Sequence, residues 1–290
     1  MKQSVQRQAG FSLIELLVVI TVLGALVGVM ISVLNIAGTI YKGKVVKAKS
    51  FQRKIETNLS LSAVGSWNFN DSASPVRDTS GNGNNGNFNA AALESDCIGL
   101  GFNSCLKVSG TVNQYVNVPD SPTLRVGTYT VSVWIRPNGV PSETWKGIVG
   151  KPGRSFNIWL NQSGYIHHRF HTDLSTNAGS PDTPSKSITW NEWNFIVITN
   201  DGAIAKTYIN GDQKASGAVS GVLLADATTL YIGRNLDGGS SNYFDGLIDE
   251  VTIYNQAITA YQVHQLYLDG VSRHLLAMVE GRKQTGEKTN

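Results

Sequence analysis

One acidic side chain, Glu15, lies near the start of the most apolar stretch of the chain, next to residues such as Phe11 and Leu13. An unpaired charge within a membrane helix costs about 2.5–3.5 kcal/mol on insertion scales. The sequence from Leu16 to Tyr41 contains no charged residue. As a helix it would reach about 39 Å, against about 30 Å for the hydrocarbon core of a bilayer. The uncharged stretch therefore predicts a membrane-spanning helix, and the carboxylate of Glu15 near its start needs a partner.

The residues around Glu15 resemble a processing signature. The segment GFSLIELLVVI, which starts at Gly10, is similar to the prepilin signature of type IV pilins and type II secretion pseudopilins. The resemblance implies that a prepilin peptidase cuts after Gly10 and that the new amine of Phe11 is methylated. It also implies that Glu15 meets the N-terminal amine of a neighbouring pilin subunit, which would make the buried charge tolerable. Before assembly the subunit would reside in the bacterial inner membrane.

A hydrophobic N-terminus also suits a simple membrane anchor that tethers a monomer. The uncharged stretch is too long for the core of an ordinary secretory signal. Basic residues both precede and follow it, so the positive-inside rule leaves its orientation open. Many type IV pilins carry a helix-kinking proline in this segment, whereas this chain has Gly24, Gly28 and Ser32 there. The choice between a type IV pilus and a type II secretion pseudopilus therefore stays open.

Hydrophobic spacing divides the chain into four parts. Residues 42–62 keep helical spacing, and after residue 63 the pattern changes to short alternating runs separated by Gly, Asn and Asp. The predicted parts are a leader over 1–10, a transmembrane and stem helix over 11–63, a head over 64–270 and a C-terminal tail over 271–290. The head is acidic, because residues 61–270 contain 12 Lys or Arg and 17 Asp or Glu. Phosphate binding needs a basic face, so nucleic acid is not an expected partner.

The head predicts an antiparallel β-sandwich. Its short runs are rich in β-branched and aromatic residues, and no long helical pattern separates them. Asn210 and Gly211 supply the positive-φ pair of a tight hairpin. Thr259 and Gln262 match a capping box, which predicts a short helix over Thr259–Leu268. The predicted strands are Ser66–Asn70, Leu106–Ser109, Tyr115–Val118, Thr128–Arg136, Ser155–Leu160, Tyr165–His171, Trp193–Thr199, Ala205–Asn210, Thr229–Arg234 and Gly246–Tyr254.

Three stretches of the head resemble the laminin G-like, concanavalin A-like jelly roll. They contain GSWNFND and DTSGNGNNG in residues 65–86, YTVSVWIRP in residues 129–137, and LYIGR and FDGLIDEVTIY in residues 230–254. The resemblance covers residues 64–270 and implies a mainly β fold after the N-terminal helix. Family members often hold a structural calcium, and the resemblance places Asp78, Asn82, Asn84 and Asp249 at it. The alternative is that Asp78 and the asparagines only stabilise turns.

A second candidate site follows from strand alternation. Tyr165, His167, Arg169 and His171 share one face of a predicted strand, with His168 on the opposite face, and Trp159 lies nearby between apolar neighbours. An arginine between two histidines repels a divalent cation, so a metal site is disfavoured. Aromatic rings with planar hydrogen-bonding groups suit a carbohydrate or protein ligand. The alternative is an ordinary solvated sheet surface.

Cys97 and Cys105 are the only cysteines of the chain. Because an outward-facing head would lie in an oxidising compartment, we expect a disulfide between them. Catalysis is not expected, because the sequence contains no Glu-x-Asp-x-Glu run and no Gly-x-Ser-x-Gly elbow.

The sequence as a whole predicts a minor pilin or pseudopilin that carries a laminin G-like binding head for carbohydrate or protein adhesion. It would pass from the inner membrane to a cell-surface filament. The alternatives are a membrane-tethered, lectin-like monomer and, less favoured, a carbohydrate-active enzyme.

Overall fold

The computed structural model describes residues 59–71, 74–97, 102–110, 113–176, 180–237 and 240–284. The predicted leader, the membrane-spanning helix and the processing residues Gly10, Phe11 and Glu15 lie outside this part of the chain. From Leu59 onward the chain forms one compact unit. Within the described ranges, no helix combines the length and the apolarity needed to cross a membrane.

Two eight-stranded sheets form the head, as the mainly β prediction requires. The first sheet runs in the order β12 (Asp212–Ala218), β11 (Ile204–Ile209), β10 (Asn194–Asn200), β6 (Tyr129–Pro137), β16 (Asp245–Tyr254), β4 (Phe102–Ser109) and β3 (Ala92–Cys97), with β1 (Ala63–Trp67) also paired to β16. The second runs β14 (Arg234–Asp237), β15 (Ser240–Tyr243), β7 (Trp145–Gly150), β13 (Leu230–Ile232), β5 (Tyr115–Val118) and β2 (Asn87–Asn89), with β8 (Asn157–Asn161) paired to β7 and β9 (Ile166–Arg169) paired to β8.

The hydrophobic core lies between the two sheets. On β6 of the first sheet, Val131, Val133 and Ile135 are fully buried, and on β8 of the second sheet Ile158 and Leu160 are buried in the same cluster. Alternate residues of a strand point to opposite faces. On each strand, the residues that alternate with the core positions therefore point to the outer side of the sheet. Both β8 and β9 carry such residues.

The predicted hairpin at Asn210 and Gly211 is confirmed. Both residues have positive φ, 52° and 85°, and they connect β11 to β12. The predicted strand Ser66–Asn70 is displaced, since β1 covers Ala63–Trp67. Phe69 adopts a φ of 52°, which is incompatible with a continuing strand. The other predicted strands overlap observed ones, while β2, β3, β7, β12, β14 and β15 were not predicted.

The C-terminal helix begins as predicted but extends much further. Thr259 N–H donates to Gln262 Oε1 (2.8 Å), and Gln262 N–H donates to Thr259 Oγ1 (3.3 Å), which is the predicted capping box. Helix α1 spans Ala260–Gln284 and therefore crosses the predicted border between head and tail at residue 270. Gly270 does not end the helix. A Cβ atom there would lie 2.6 Å from Cζ2 of Trp134, so glycine allows the helix to pack closely on the first sheet.

Candidate functional site

The outward-facing side of β8 and β9 brings most of the predicted ligand-binding residues together. Trp159 alternates with the core residues Ile158 and Leu160, and His167 pairs with Trp159 across the two strands. Tyr165 immediately precedes β9 and is half-buried. The predicted common face therefore exists for Trp159, Tyr165 and His167.

Trp145, the first residue of β7, is the centre of this face and was missed in the sequence. Its ring centroid lies 6.5 Å from that of Trp159, 5.7 Å from that of Tyr165 and 5.3 Å from that of His167. The Trp159 and Tyr165 rings meet it edge-on, at 81° and 89°. The run WKGIVG lacks strand alternation, and an isolated tryptophan in it gave no signal that it would join β8 and β9.

An acidic residue completes the group. The carboxylate of Asp182 lies 2.6 Å from Nδ1 of His167 and holds that ring in place. Burial, together with the negative charge of Asp182, raises the pKa of Tyr165, so its hydroxyl stays protonated and able to donate. Trp145, Trp159, Tyr165, His167 and Asp182 are called the Trp145 surface below.

Two buried side chains, Trp159 within the Trp145 surface and Asn157 beside it, have polar atoms without hydrogen-bond partners. Trp159 is 3% exposed and Asn157 is 1% exposed, yet Nε1 of Trp159 and both amide atoms of Asn157 are buried without a hydrogen-bond partner. Buried polar groups are normally paired, so unpaired ones are informative. These unpaired atoms lie beneath the face rather than exposed on it.

His168 belongs to the core, as its predicted opposite orientation requires. Its side chain is fully buried, and Nε2 lies 2.8 Å from the hydroxyl of Tyr129. Burial, followed by the neighbouring His167, lowers the pKa of His168 to about 3. This histidine is therefore neutral near neutral pH and has a structural role.

Arg169 and His171 lie toward the other end of β9, away from Trp145. Nε2 of His171 is 3.4 Å from Nη1 of Arg154. Burial and the positive charges of Arg154 and Arg169 lower the pKa of His171. Within the described ranges, no three His, Cys, Asp or Glu residues are grouped so that they could hold a metal ion. Arg169 and His171 therefore form a basic border rather than part of the aromatic group.

The Asp78 loop has a different character. The Oδ1 atom of Asp78 accepts from the N–H groups of Ser66 and Ser80, both at 2.9 Å, and Oδ2 accepts from Ser80 Oγ at 2.9 Å and Asn84 N–H at 2.8 Å. These four bonds occupy the carboxylate and fasten the loop to β1.

The predicted calcium ligands do not fit a calcium site in this arrangement. The side-chain nitrogen of Asn84 donates to Val64 O and Thr123 Oγ1, and its main-chain oxygen accepts from the indole of Trp67. Asn82 donates to Ala63 O, and Oδ1 of the fully buried Asp249 accepts from the N–H of Glu250. A calcium ion would have to replace the bonds of Asp78. The geometry matches the alternative that Asp78 and the asparagines stabilise turns.

The two cysteines are joined in the structure. A disulfide links Cys97, the last residue of β3, to Cys105 in β4, with a Cα–Cα distance of 6.0 Å. Because β3 is the last strand of the first sheet, the bond fastens that edge to its neighbour.

Comparison with known proteins assigns the head to a family. The profile of the concanavalin A-like lectin/glucanase superfamily, of the laminin G type, matches residues 109–264, more than half of the chain. The chain belongs to this superfamily. The prokaryotic N-terminal methylation motif matches residues 5–31, which include Gly10, Phe11 and Glu15. The predicted resemblances of both regions are thereby confirmed.

Similar structures show the same fold at low sequence identity. The ligand-binding domain of botulinum neurotoxin serotype D, solved with N-acetylneuraminic acid, is 19% identical with a TM-score of 0.59, covering 74% of this chain and 52% of that one. Domain 4 of an arabinanase from Geobacillus stearothermophilus, solved with arabinotriose, is 22% identical with a TM-score of 0.52, covering 71% and 98%.

A curated relative is the adhesion G-protein coupled receptor V1 of Danio rerio. It is 25% identical over 173 residues, which is 55% of this chain and 3% of the receptor. The chain therefore spans only a small part of that relative.

Proposed function

We propose that this protein is a pilin-like subunit, a minor pilin or pseudopilin, that displays a lectin-type head on a bacterial surface filament. One observation carries the proposal: an N-terminal methylation motif and a concanavalin A-like domain occur in the same chain. The motif supports processing after Gly10, and Glu15 supplies the charge for contact with the next subunit. A head of this size favours a minor or terminal position over the repeating one.

The head acts by binding and not by catalysis. The Trp145 surface supports this role, since it combines aromatic rings, a fixed histidine and an unpaired indole N–H on the outward side of the second sheet. Aromatic side chains that also carry a hydrogen-bonding group are typical of binding faces. Carbohydrate is the favoured ligand, because aromatic rings and planar hydrogen-bonding groups suit sugar rings. A protein surface is the second candidate.

Filament assembly is tested by Glu15→Ala. Loss of the carboxylate removes the partner of the neighbouring N-terminal amine, so incorporation into filaments is expected to fall at least about tenfold. Glu56→Ala is the matched control, because it removes an acid outside the apolar stretch. The readout is the amount of the chain in purified filaments, together with the mass of its N-terminal peptide. A retained Met1, or equal incorporation of both variants, contradicts the proposal in favour of a tethered monomer.

Ligand binding by the head is tested by Trp145→Ala. Removing the central ring leaves Trp159, Tyr165 and His167 without a common neighbour, so affinity for a neutral oligosaccharide is expected to fall at least about tenfold. Tyr261→Ala on helix α1, where the tyrosine is 50% exposed, is the matched control. Binding would be measured by titration calorimetry with a panel that includes arabinotriose. Turnover of the panel, or unchanged affinity in Trp145→Ala, contradicts this assignment.

A further inference from the structure

A second aromatic group on the same sheet surrounds a positive charge. Arg234 is the first residue of β14, and its guanidinium carbon lies 4.3 Å from the ring centroid of Tyr115, 4.5 Å from that of Tyr231 and 5.7 Å from that of Tyr243. The rings of Tyr115 and Tyr231 contact each other edge-on at 5.5 Å. These four residues come from four different strands and are called the Arg234 cluster.

The Arg234 cluster lies on the outward side of the sheet. Tyr115 and Tyr231 are half-buried and precede the core residues Val116 and Ile232, so their rings point away from the core. Strand pairing relates the cluster to the Trp145 surface. Arg234 pairs with Tyr243, Tyr243 with Gly147, and Gly147 with Trp159.

The charge of Arg234 has no counter-charge in the part of the chain that the structure describes. Its guanidinium packs against the three tyrosine rings, and its Nε atom is buried without a hydrogen-bond partner. Ring faces attract a cation but do not satisfy five directional N–H donors. The ring contacts therefore compensate only part of the cost of removing this cation from water, and a hydrogen-bonded anion would supply more. The cluster is therefore set up to receive an anion.

We propose that the Arg234 cluster binds the carboxylate of an acidic sugar. A guanidinium presents parallel N–H donors that match the two oxygens of a carboxylate, and the half-buried rings of Tyr115 and Tyr231 offer apolar surface and hydroxyl groups to a sugar ring. An acidic peptide shares the carboxylate, but three converging rings favour a cyclic ligand over a flexible side chain. This inference rests on the proposed binding function of the head and assigns a ligand class to a site separate from the Trp145 surface.

The test compares two probes that share the same sugar chain and differ in whether their carboxyl groups are free or methyl-esterified. Trigalacturonate and its methyl ester are titrated against the full chain in detergent micelles by calorimetry. We expect the acid to bind at least about tenfold more tightly than the ester, and Arg234→Gln to remove that difference. Arg136→Gln is the matched control, since Arg136 lies in β6 of the first sheet and its removal changes the net charge equally. The control is expected to leave both affinities unchanged.

Arg234→Lys keeps the result interpretable if Arg234→Gln fails to fold. Lysine retains the charge and the ring contacts but not the paired donors, so the acid is expected to bind several-fold more weakly at an unchanged melting temperature. Equal affinity for acid and ester, or unchanged binding in both Arg234 variants, overturns the inference. Tighter binding of a hexaglutamate peptide with the same dependence on Arg234 overturns the sugar assignment. Binding that requires Trp145 but not Arg234 overturns this site while leaving the proposed function intact.

Discussion

The outward sides of the two sheets both carry aromatic groups, and they differ in what covers them. On the first sheet, Trp134 of β6 and Phe195 of β10 are paired neighbours, with ring centroids 4.9 Å apart. Tyr267 of helix α1 stacks on Trp134 at 5.9 Å, so the helix covers this group. Trp134 is consequently only 4% exposed. On the second sheet the Trp145 surface leaves Trp145, Tyr165 and His167 half-buried.

Buried polar groups without partners occur on both sheets, since Asn200 Nδ2 of β10 and the Tyr208 hydroxyl of β11 also lack them, but the two candidate sites differ. Near the first sheet, the carboxylate of Asp78 accepts four hydrogen bonds. On the second sheet, the amide of Asn157 and the Nε atom of Arg234 are buried without partners. A satisfied polar group stabilises a fold, whereas an unsatisfied one costs free energy and is retained for a reason. The Asp78 loop is therefore structural, whereas the Trp145 surface and the Arg234 cluster are where ligands are expected.

The largest expected difference between the regions is in stability. Trp134→Ala removes a fully packed ring and is expected to lower the free energy of unfolding by about 3–5 kcal/mol. Trp145→Ala, at a half-buried position, is expected to lower it by about 1–2 kcal/mol while reducing affinity at least about tenfold. Urea unfolding of the two variants in the same buffer measures this contrast. Similar losses for both would mean that Trp145 is part of the core and would remove the distinction.

A smaller effect is expected at Asp78. Asp78→Ala leaves four donors without their acceptor and is expected to lower the free energy of unfolding by about 2–3 kcal/mol. Asp71→Ala, at an exposed acid close in sequence, should change it by less than about 0.5 kcal/mol.

The same variants decide the calcium prediction. Because protein donors occupy the Asp78 carboxylate, replacing a chelator with millimolar calcium is expected to leave the unfolding midpoint of the parent chain unchanged. A calcium-dependent gain, about 2.7 kcal/mol at a hundredfold excess over Kd, that disappears in Asp78→Ala would restore the calcium site and refute the hydrogen-bonded arrangement.

The smallest expected effect, counted per pH unit, is the change in the free energy of unfolding that His168 contributes. Its pKa is lowered to about 3 in the folded protein, against about 6.5 when unfolded. Between these values the unfolded chain binds more protons, so the free energy of unfolding rises with pH by up to about 1.4 kcal/mol per unit. This stability is fully present above about pH 6.5 and is lost as the pH falls toward 3.

The His168 contribution can be isolated by substitution. Unfolding measured between pH 5 and pH 7 should show a smaller rise of the free energy of unfolding with pH in His168→Gln than in the parent chain. An equal slope in His168→Gln and the parent chain would show that other groups cause the pH dependence.

Local patterns predicted much of the fold. Alternation found the strands with strong β character, and the residue types at Asn210–Gly211 and Thr259–Gln262 marked a hairpin and a helix start that are both confirmed. The missed strands carry weak local signals. β12 reads DQKASGA and is largely exposed at the edge of its sheet, and β7 contains two glycines.

The candidate site was predicted only in part. Alternation correctly separated His168 from Trp159, Tyr165 and His167, because a strand fixes which side each residue faces. It did not find Trp145, which reaches them from another strand, or Asp182, which follows β9 in a loop. It placed Arg169 and His171 with the rings, although they lie toward Arg154.

The sequence by itself determined the chain's family and its processing motif, because both are written in contiguous residues whose types and order suffice. It also determined the side of the sheet on which the residues of β8 and β9 lie. The tertiary structure alone decided which aromatic group is covered by helix α1 and which stays open. It alone brought Arg234 between Tyr115, Tyr231 and Tyr243. Such groupings join side chains on different strands, such as Tyr115 of β5 and Arg234 of β14, and they arise only when these strands pair into one sheet.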